Sequence, residues 1–170
     1  MSTEPEVSLV TECFNLGEGQ SIDSLAAAIA ALIDIAEPID AEVLVMDASS
    51  DPRVVALVPD DARVRRIAAP GLGYDELKNL GAERAQGAYV AYLDGDCRPL
   101  NADWLDRLLA PIRAGQADAT GGLTRYDDPS AAGIAATVMD FGYAWDDPQG
   151  RMGCYSSNNV AFSRSVRCEV

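Results

Sequence analysis

The residues of this sequence best suited to chemistry are two aspartates separated by one glycine, Asp94-Gly95-Asp96. Two carboxylates this close repel each other, and a bound divalent cation removes the repulsion. Mg²⁺ binds one or two protein carboxylates together with phosphate oxygens and water. The spacing therefore indicates a metal held against the diphosphate of a nucleotide. The alternative interpretation is a solvated turn in which the aspartates cap the local backbone.

A short apolar run, Ala-Tyr-Val-Ala-Tyr-Leu at 88–93, leads directly into the two aspartates. The run is too short for a helix and rich in strand-forming residues, so it predicts a buried strand of a parallel sheet. Ligands of open parallel α/β sheets bind beyond the carboxyl ends of the strands. This strand would carry both carboxylates to that edge, and Gly95 would let the chain turn there.

The rest of the sequence alternates between short apolar runs, which predict strands, and amphipathic segments, which predict helices. This alternation predicts an α/β protein, a three-layer α/β/α sandwich with a mainly parallel sheet, in a single domain over residues 1–170. Residues 12–20 are predicted to form a loop, and Gly87 to end the third helix in the left-handed conformation. The predicted strands are 7–11, 42–46, 64–67, 88–93, 117–124 and 160–163, and the predicted helices are 21–35 with Ser21 as cap, 53–57, 75–86, 102–114 and 130–143.

Composition narrows the class of protein. A formal net charge of −14 argues against binding nucleic acid, and the absence of histidine excludes Ser-His triads and His-ligated zinc. The N-terminus is acidic and no apolar run is long enough to span a bilayer, so neither a signal peptide nor a transmembrane segment is predicted. Four cysteines without Cys-x-x-Cys spacing predict reduced thiols in a cytoplasmic protein: Cys13, Cys97, Cys154 and Cys168.

Several motifs, taken in order, resemble those of the inverting family 2 glycosyltransferases, which have the GT-A fold and use nucleotide sugars. The resemblance covers about residues 7–166. Its most specific part is KNLGAERAQGAYVAYLDGD at 78–96, which is similar to the family's Arg/Lys-Asn-x-Gly helix and metal-binding Asp-x-Asp (DXD) strand. The other motifs are VSLVTECFN at 7–15, EVLVMDASS at 42–50, the glycine pair at 121–122 and NNVAFSR at 158–164.

The resemblance implies a nucleoside-diphosphate sugar as donor and leaves the acceptor unknown. Asp47 would accept a hydrogen bond from the base, Asp94 would meet the ribose or the sugar, and Lys78 would lie near the phosphates. Asp96, with Asp94 beside it, would bind Mg²⁺ or Mn²⁺ bridging the two phosphates. The residues that the resemblance assigns to the nucleotide or donor are Glu12, Asn15, Asp47, Lys78, Asn79 and Asp94.

Each of these assignments has a structural alternative. Asp47 could be an ordinary turn residue, Lys78 a solvated lysine on a helix face, and Asn79 a residue that braces a loop. Glu12 stands where the family often has proline, and the turn after Asp47 also departs from the family pattern. Aromatic residues near the C-terminal end could either contact a sugar ring or pack in the core: Phe141, Tyr143, Trp145 and Tyr155.

The reaction implied by the resemblance is a single in-line displacement at the anomeric carbon. The metal would stabilise the departing nucleoside diphosphate, and a carboxylate would take the proton of the acceptor hydroxyl. In the family that carboxylate lies beyond the strand corresponding to 160–163, so the catalytic residue is unknown and the acceptor part is expected to be incomplete. The acidic pairs at 127–128 and 146–147 are interpreted as solvated surface.

Two other functions remain open from the sequence. The missing base would fit a non-catalytic module that binds a nucleotide sugar or a metal. A nucleotidyltransferase would share the α/β layout and the carboxylate-bound metal. That class usually has a basic, glycine-rich loop after the first strand, whereas residues 12–20 contain no lysine or arginine.

Overall fold

The computed structural model describes residues 4–142, 151 and 154–166 of the chain. Within these residues six strands alternate with five helices, which confirms the predicted order of elements. The elements are β1 (Val7–Cys13), α1 (Ile22–Ala36), β2 (Ala41–Asp47), α2 (Pro52–Leu57), β3 (Val64–Ala68), α3 (Tyr74–Arg84), β4 (Tyr89–Leu93), α4 (Trp104–Arg113), β5 (Ala119–Gly121), α5 (Ala131–Phe141) and β6 (Asn159–Ser163).

The six strands form one sheet in the order β3-β2-β1-β4-β6-β5. Strands β1 to β4 are parallel to one another, and β6 runs antiparallel to β4 and to β5. The chain moves outward from β1 to β3 and then returns to place β4 on the other side of β1. The direction of winding therefore changes between β1 and β4, which is where a mainly parallel sheet opens a crevice at its carboxyl edge.

Helices cover both faces of the sheet, as a three-layer sandwich requires. On one face, α1 and α4 pack against alternate residues of the strands, with Leu32, Leu108 and Leu109 buried. On the other face, α3 packs through Leu77 against alternate residues of β1, β2 and β4. The 3.6-residue period of the helices and the two-residue period of the strands match the faces that these elements bury.

Two local predictions were wrong. Residue 12 lies in β1 and not in a loop, because β1 is a central strand and pairs through Glu12 with Met46 of β2. Gly87 does not end α3 in the left-handed conformation, since the glycines with positive φ are Gly17, Gly71 and Gly115 among the described residues. Gly115, after α4, is the glycine that ends its helix in this way.

The role of Gly87 is to let β4 approach β1. Its backbone N donates a hydrogen bond to Oγ of Ser8 at 2.9 Å. A Cβ at this position would lie 2.5 Å from the backbone N of Ser8 and 2.6 Å from the backbone C of Val7. The close approach of β4 to β1 therefore leaves no room for a side chain at position 87.

The buried carboxylate of Glu42 connects several elements at the amino edge of the sheet. Glu42 accepts hydrogen bonds from Oγ of Ser8, from the backbone N of Gln86 and from the guanidinium of Arg65, each at 2.6 Å. These contacts join β1, β2 and β3 to the turn between α3 and β4. They hold the chain in place just before β4 begins at Tyr89.

Of the four aromatic residues predicted either to contact a sugar ring or to pack in the core, Phe141 and Tyr155 lie in the described part of the chain. Phe141 packs against Tyr126 with ring centroids 5.6 Å apart, and Tyr155 is exposed. Residues 143, 145, 146, 147 and 168, on which other predictions fell, lie outside the described part of the chain. Within that part, no helix combines the length and apolar character needed to cross a membrane.

Replacing Gly87 with alanine tests the close approach of β4 to β1. The added methyl group meets backbone atoms that cannot rotate away, so we expect Gly87→Ala to lower the free energy of unfolding by about 2 kcal/mol. Gly142→Ala is the matched control, because its Cβ would lie 3.5 Å from Val138 in ordinary contact. Urea unfolding monitored by circular dichroism measures both variants, and equal stability of the two would contradict the packing argument.

Candidate functional site

The crevice at the carboxyl edge of the sheet contains a small cavity between the ends of β1 and β4. Its volume is about 80 Å³. The residues that line it come from the end of β1, the loop that follows, the start of α3 and the turn after β4: Glu12, Phe14, Asn15, Gln20, Tyr74, Asp94 and Asp96. The structure thus brings the predicted aspartate pair together with two other predicted site residues, Glu12 and Asn15.

Strand geometry directs two of the carboxyl groups toward α3. Val10 and Tyr92 pack in the cluster beneath α3, and side chains two residues further along a strand point to the same face. Glu12 and Asp94 therefore also turn toward α3, whose Lys78 lies beneath the end of the crevice. Gly81, one turn further along α3, permits this close packing, since a Cβ there would lie 2.8 Å from Cγ1 of Val10.

Lys78 is a buried cation shared by two carboxyl groups. Its Nζ donates a hydrogen bond to Oδ1 of Asp94 and lies 3.0 Å from Oε2 of Glu12. It also donates to the backbone O of Ser157 at 3.1 Å, and it lies 5.0 Å from the centroid of the Tyr74 ring. Its side chain is 9% exposed, so the interpretation as a solvated lysine is wrong.

Burial and charge move the pKa values of this group in defined directions. Burial by itself lowers the pKa of Lys78, but the charges of Glu12 and Asp94 outweigh burial and hold the pKa above its usual value. Burial raises the pKa of Glu12 to about 8, and Asp94 adds to the rise although Lys78 opposes it. Two carboxyl groups that share one ammonium group cannot both be charged without cost.

The two aspartates of the pair differ in environment. Asp94 is held by Lys78 and by the hydroxyl of Tyr74, which donates to Oδ2 at 2.9 Å. Asp96 is exposed, and its Oδ1 accepts a hydrogen bond from the thiol of Cys97, with Sγ 3.6 Å away. One carboxylate is thus part of the protein's internal network, whereas the other faces the open crevice.

A divalent cation fits Asp96 better than Asp94. No cluster of three or more histidine, cysteine, aspartate or glutamate side chains within the described ranges could enclose a metal. A cation at Asp96 would then take most of its ligands from phosphate oxygens and water, which is the coordination that Mg²⁺ prefers. The exposed carboxylate is a hard oxygen donor of the required kind.

A second cavity of about 360 Å³ lies beside the first, at the ends of β1 and β2. Phe14 and Asn15 line both cavities, and Ser49 lines the second. Asp47 is buried beneath it at the end of β2, where it accepts hydrogen bonds from Oγ of Ser49 at 2.6 Å and from Nε of Arg66 at 2.7 Å. Asp47 therefore holds Ser49, which lines this cavity, in place.

The remaining predicted residue, Asn79, is exposed on α3 and lines neither cavity. Three residues that the sequence reasoning missed line the first cavity: Phe14, Gln20 and Tyr74. Tyr74 could have been found from the sequence, since it lies four residues before Lys78 and hence on the same face of α3. Nothing in the spacing of Gln20 marks it, because its position depends on the path of the loop after β1.

Comparison with known proteins identifies the family. The sequence model of the family described as Glycosyl transferase family 2 matches residues 8–166, which is most of the chain. The chain belongs to glycosyltransferase family 2. A segment of 63 residues is 38% identical to glycosyltransferase AglE of Haloferax volcanii, and it makes up 37% of this chain and 20% of that protein.

Solved structures show the same fold. A mannosyltransferase from Pyrobaculum calidifontis, PcManGT, in complex with GDP-Man and Mn²⁺, has a TM-score of 0.67 at 17% identity, over 96% of this chain and 46% of that one. A mannosyl-3-phosphoglycerate synthase from Rubrobacter xylanophilus has a TM-score of 0.64 at 15% identity, over 98% and 55%. This family 2 chain therefore has the GT-A fold and spans about half the length of these two solved proteins.

Removal of the shared cation should be costly. Lys78→Met leaves the partly buried carboxylate of Asp94 without its cation, so we expect the free energy of unfolding to fall by about 3 kcal/mol. Arg107→Met is the control, because the exposed pair of Arg107 with Asp103, 4.0 Å apart, should contribute less than about 1 kcal/mol. Denaturant unfolding at pH 7 compares the two losses, and similar values would show that Lys78 is not an internal cation.

The raised pKa of Glu12 predicts a dependence of stability on pH. The folded chain holds this proton more tightly than the unfolded chain, so the contribution of Glu12 is present below pH 4.5 and is lost as the pH rises through about 8. We expect the free energy of unfolding to fall less steeply between these values in Glu12→Gln than in the natural chain. General repulsion among the acidic side chains affects both proteins, so parallel slopes would contradict the prediction.

Proposed function

We propose that this family 2 chain binds a nucleoside-diphosphate sugar in the crevice between β1 and β4 and takes part in transferring the sugar to an acceptor. The observation that carries the proposal is the placement of an exposed carboxylate, Asp96, beside an internally neutralised one, Asp94, at the edge where the winding of the sheet changes. That edge is where α/β sheets bind nucleotides.

The two adjoining cavities support an orientation for the nucleotide. The larger cavity, with Ser49 on its wall and Asp47 beneath it, has the volume and the polar groups to hold a base. Phe14 is 43% exposed and lines both cavities, so its ring could pack against the nucleoside between them. The diphosphate would then reach the turn after β4, where Asp96 lies.

Charge in the crevice favours a metal-dependent site. Three carboxyl groups line the small cavity, and the ammonium group of Lys78 is already shared by Glu12 and Asp94. No lysine or arginine is among the described residues that line the two cavities, so a diphosphate would bring further negative charge without a cation from the lining to meet it. Mg²⁺ or Mn²⁺ at Asp96 would supply that positive charge and stabilise the departing nucleoside diphosphate. The Mn²⁺ in the complex of the P. calidifontis enzyme is consistent with this choice.

The residues of the chain then have separate tasks. Asp96 would hold the cation, Lys78 and Tyr74 would orient Asp94, and Asp94 would contact the ribose or the sugar. An inverting displacement at the anomeric carbon would also require a base that takes the proton of the acceptor hydroxyl, and we assign no residue to that role.

Calorimetric titration with UDP, GDP and dTDP, each with and without Mn²⁺, tests the proposal. We expect one nucleotide to bind when Mn²⁺ is present. Asp96→Asn should weaken that binding about tenfold or more, since even groups that only support a metal ligand contribute that much to metal affinity. Asp60→Asn is the control, because Asp60 precedes β3 and lies at the amino edge of the sheet.

Absence of binding to all three nucleotides, or equal weakening by Asp96→Asn and Asp60→Asn, would overturn the proposal. Incubation with the corresponding nucleotide sugars then measures turnover separately from binding. Release of the sugar to water or to an acceptor would support a transferase, whereas binding without release would favour a module that only binds the donor.

A further inference from the structure

Gln20 lines the small cavity and carries a buried hydrogen-bond acceptor. Its side chain lies just before α1, and the residue is 3% exposed. Oε1 of Gln20 accepts no hydrogen bond from any residue that the structure describes. A buried polar atom without a partner costs free energy, so a group that pairs with it should be found in the cavity it lines.

The orientation of the Gln20 amide follows from its neighbours. Nε2 donates a hydrogen bond to the backbone O of Glu12 at 3.0 Å. Rotating the amide by half a turn would set Oε1 against that carbonyl, with two acceptors in contact and no proton between them. Gly95 packs against the same amide, since a Cβ there would lie 2.3 Å from Nε2. The amide is therefore held with its oxygen as the free atom.

The chemistry of the cavity selects the partner. The free oxygen requires a hydrogen-bond donor, whereas the oxygens of an ionised phosphate only accept hydrogen bonds. A sugar hydroxyl is a neutral donor small enough for the cavity. It can donate to Gln20 while it accepts from a neighbouring group.

We propose that Oε1 of Gln20 accepts a hydrogen bond from a sugar hydroxyl of the bound nucleotide sugar and so makes Gln20 a residue that selects hydroxylated donors. The inference rests on the proposed function, because it takes a nucleotide sugar as the occupant. The hydroxyl belongs either to the ribose or to the transferred sugar, and the two sources present the same chemistry to the amide.

The test compares ligands and variants by calorimetry in the presence of Mn²⁺. The ligands are the nucleoside diphosphate that binds, its 2′-deoxy and 3′-deoxy forms, and its nucleotide sugars. Gln20→Met keeps the length of the side chain without the acceptor, and Gln116→Met, at an exposed position after α4, is the control. In the natural chain and in Gln116→Met, we expect the ligand that carries the recognised hydroxyl to bind about five- to tenfold more tightly than the ligand that lacks it. This difference corresponds to one hydrogen bond.

A preference for ribose over deoxyribose that disappears in Gln20→Met would support the ribose as the source. Loss only of the added affinity for a nucleotide sugar would support the transferred sugar. Unchanged preferences in a folded Gln20→Met would overturn the inference while leaving the proposed function intact. If that variant does not fold, the natural chain decides, since equal affinity for all these ligands would overturn the inference. Absence of any nucleotide binding would overturn both proposals.

Discussion

The interaction on which the site depends is the contact of one buried ammonium group, that of Lys78, with the carboxyl groups of Glu12 and Asp94. Buried charges are stable only when they are paired and hydrogen bonded, so this contact requires β1, α3 and β4 to meet at one point. The backbone O of Ser157, just before β6, completes the set of partners. Four segments that are distant in the sequence are thus held together at the crevice.

Carboxyl groups lie at both the amino edge and the carboxyl edge of the sheet, and they have different roles at the two edges. At the amino edge, Glu42 receives three donors and faces the interior, so its contacts position β4 and leave nothing for a ligand. At the carboxyl edge, Glu12 and Asp94 line a cavity. The contacts at the amino edge hold residues 86 and 87 against β1 and β2. They therefore help to set the register of β4 on β1, which brings Asp94 and Asp96 to the carboxyl edge.

The two aspartates of the pair are suited to different roles because their surroundings differ. Asp94 and Asp96 have the same chemistry, yet one is neutralised by Lys78 and the other faces solvent. In a chain with a formal net charge of −14, an exposed carboxylate is ordinary by itself. Its position in the crevice, next to an aspartate whose charge is already balanced, is what makes it suited to a cation and a diphosphate.

The sequence by itself determined the order of the elements, the parallel character of the sheet and the edge at which the aspartate pair would lie, because these follow from local apolar periodicity and from one strand's end. The motifs also indicated the family that the comparison then confirmed. Contacts between elements, in contrast, made Glu12 a strand residue, buried Lys78 and placed Gln20 in the lining of the cavity. Each of these depends on contacts between segments far apart in the chain, and no local pattern specifies which partners will meet.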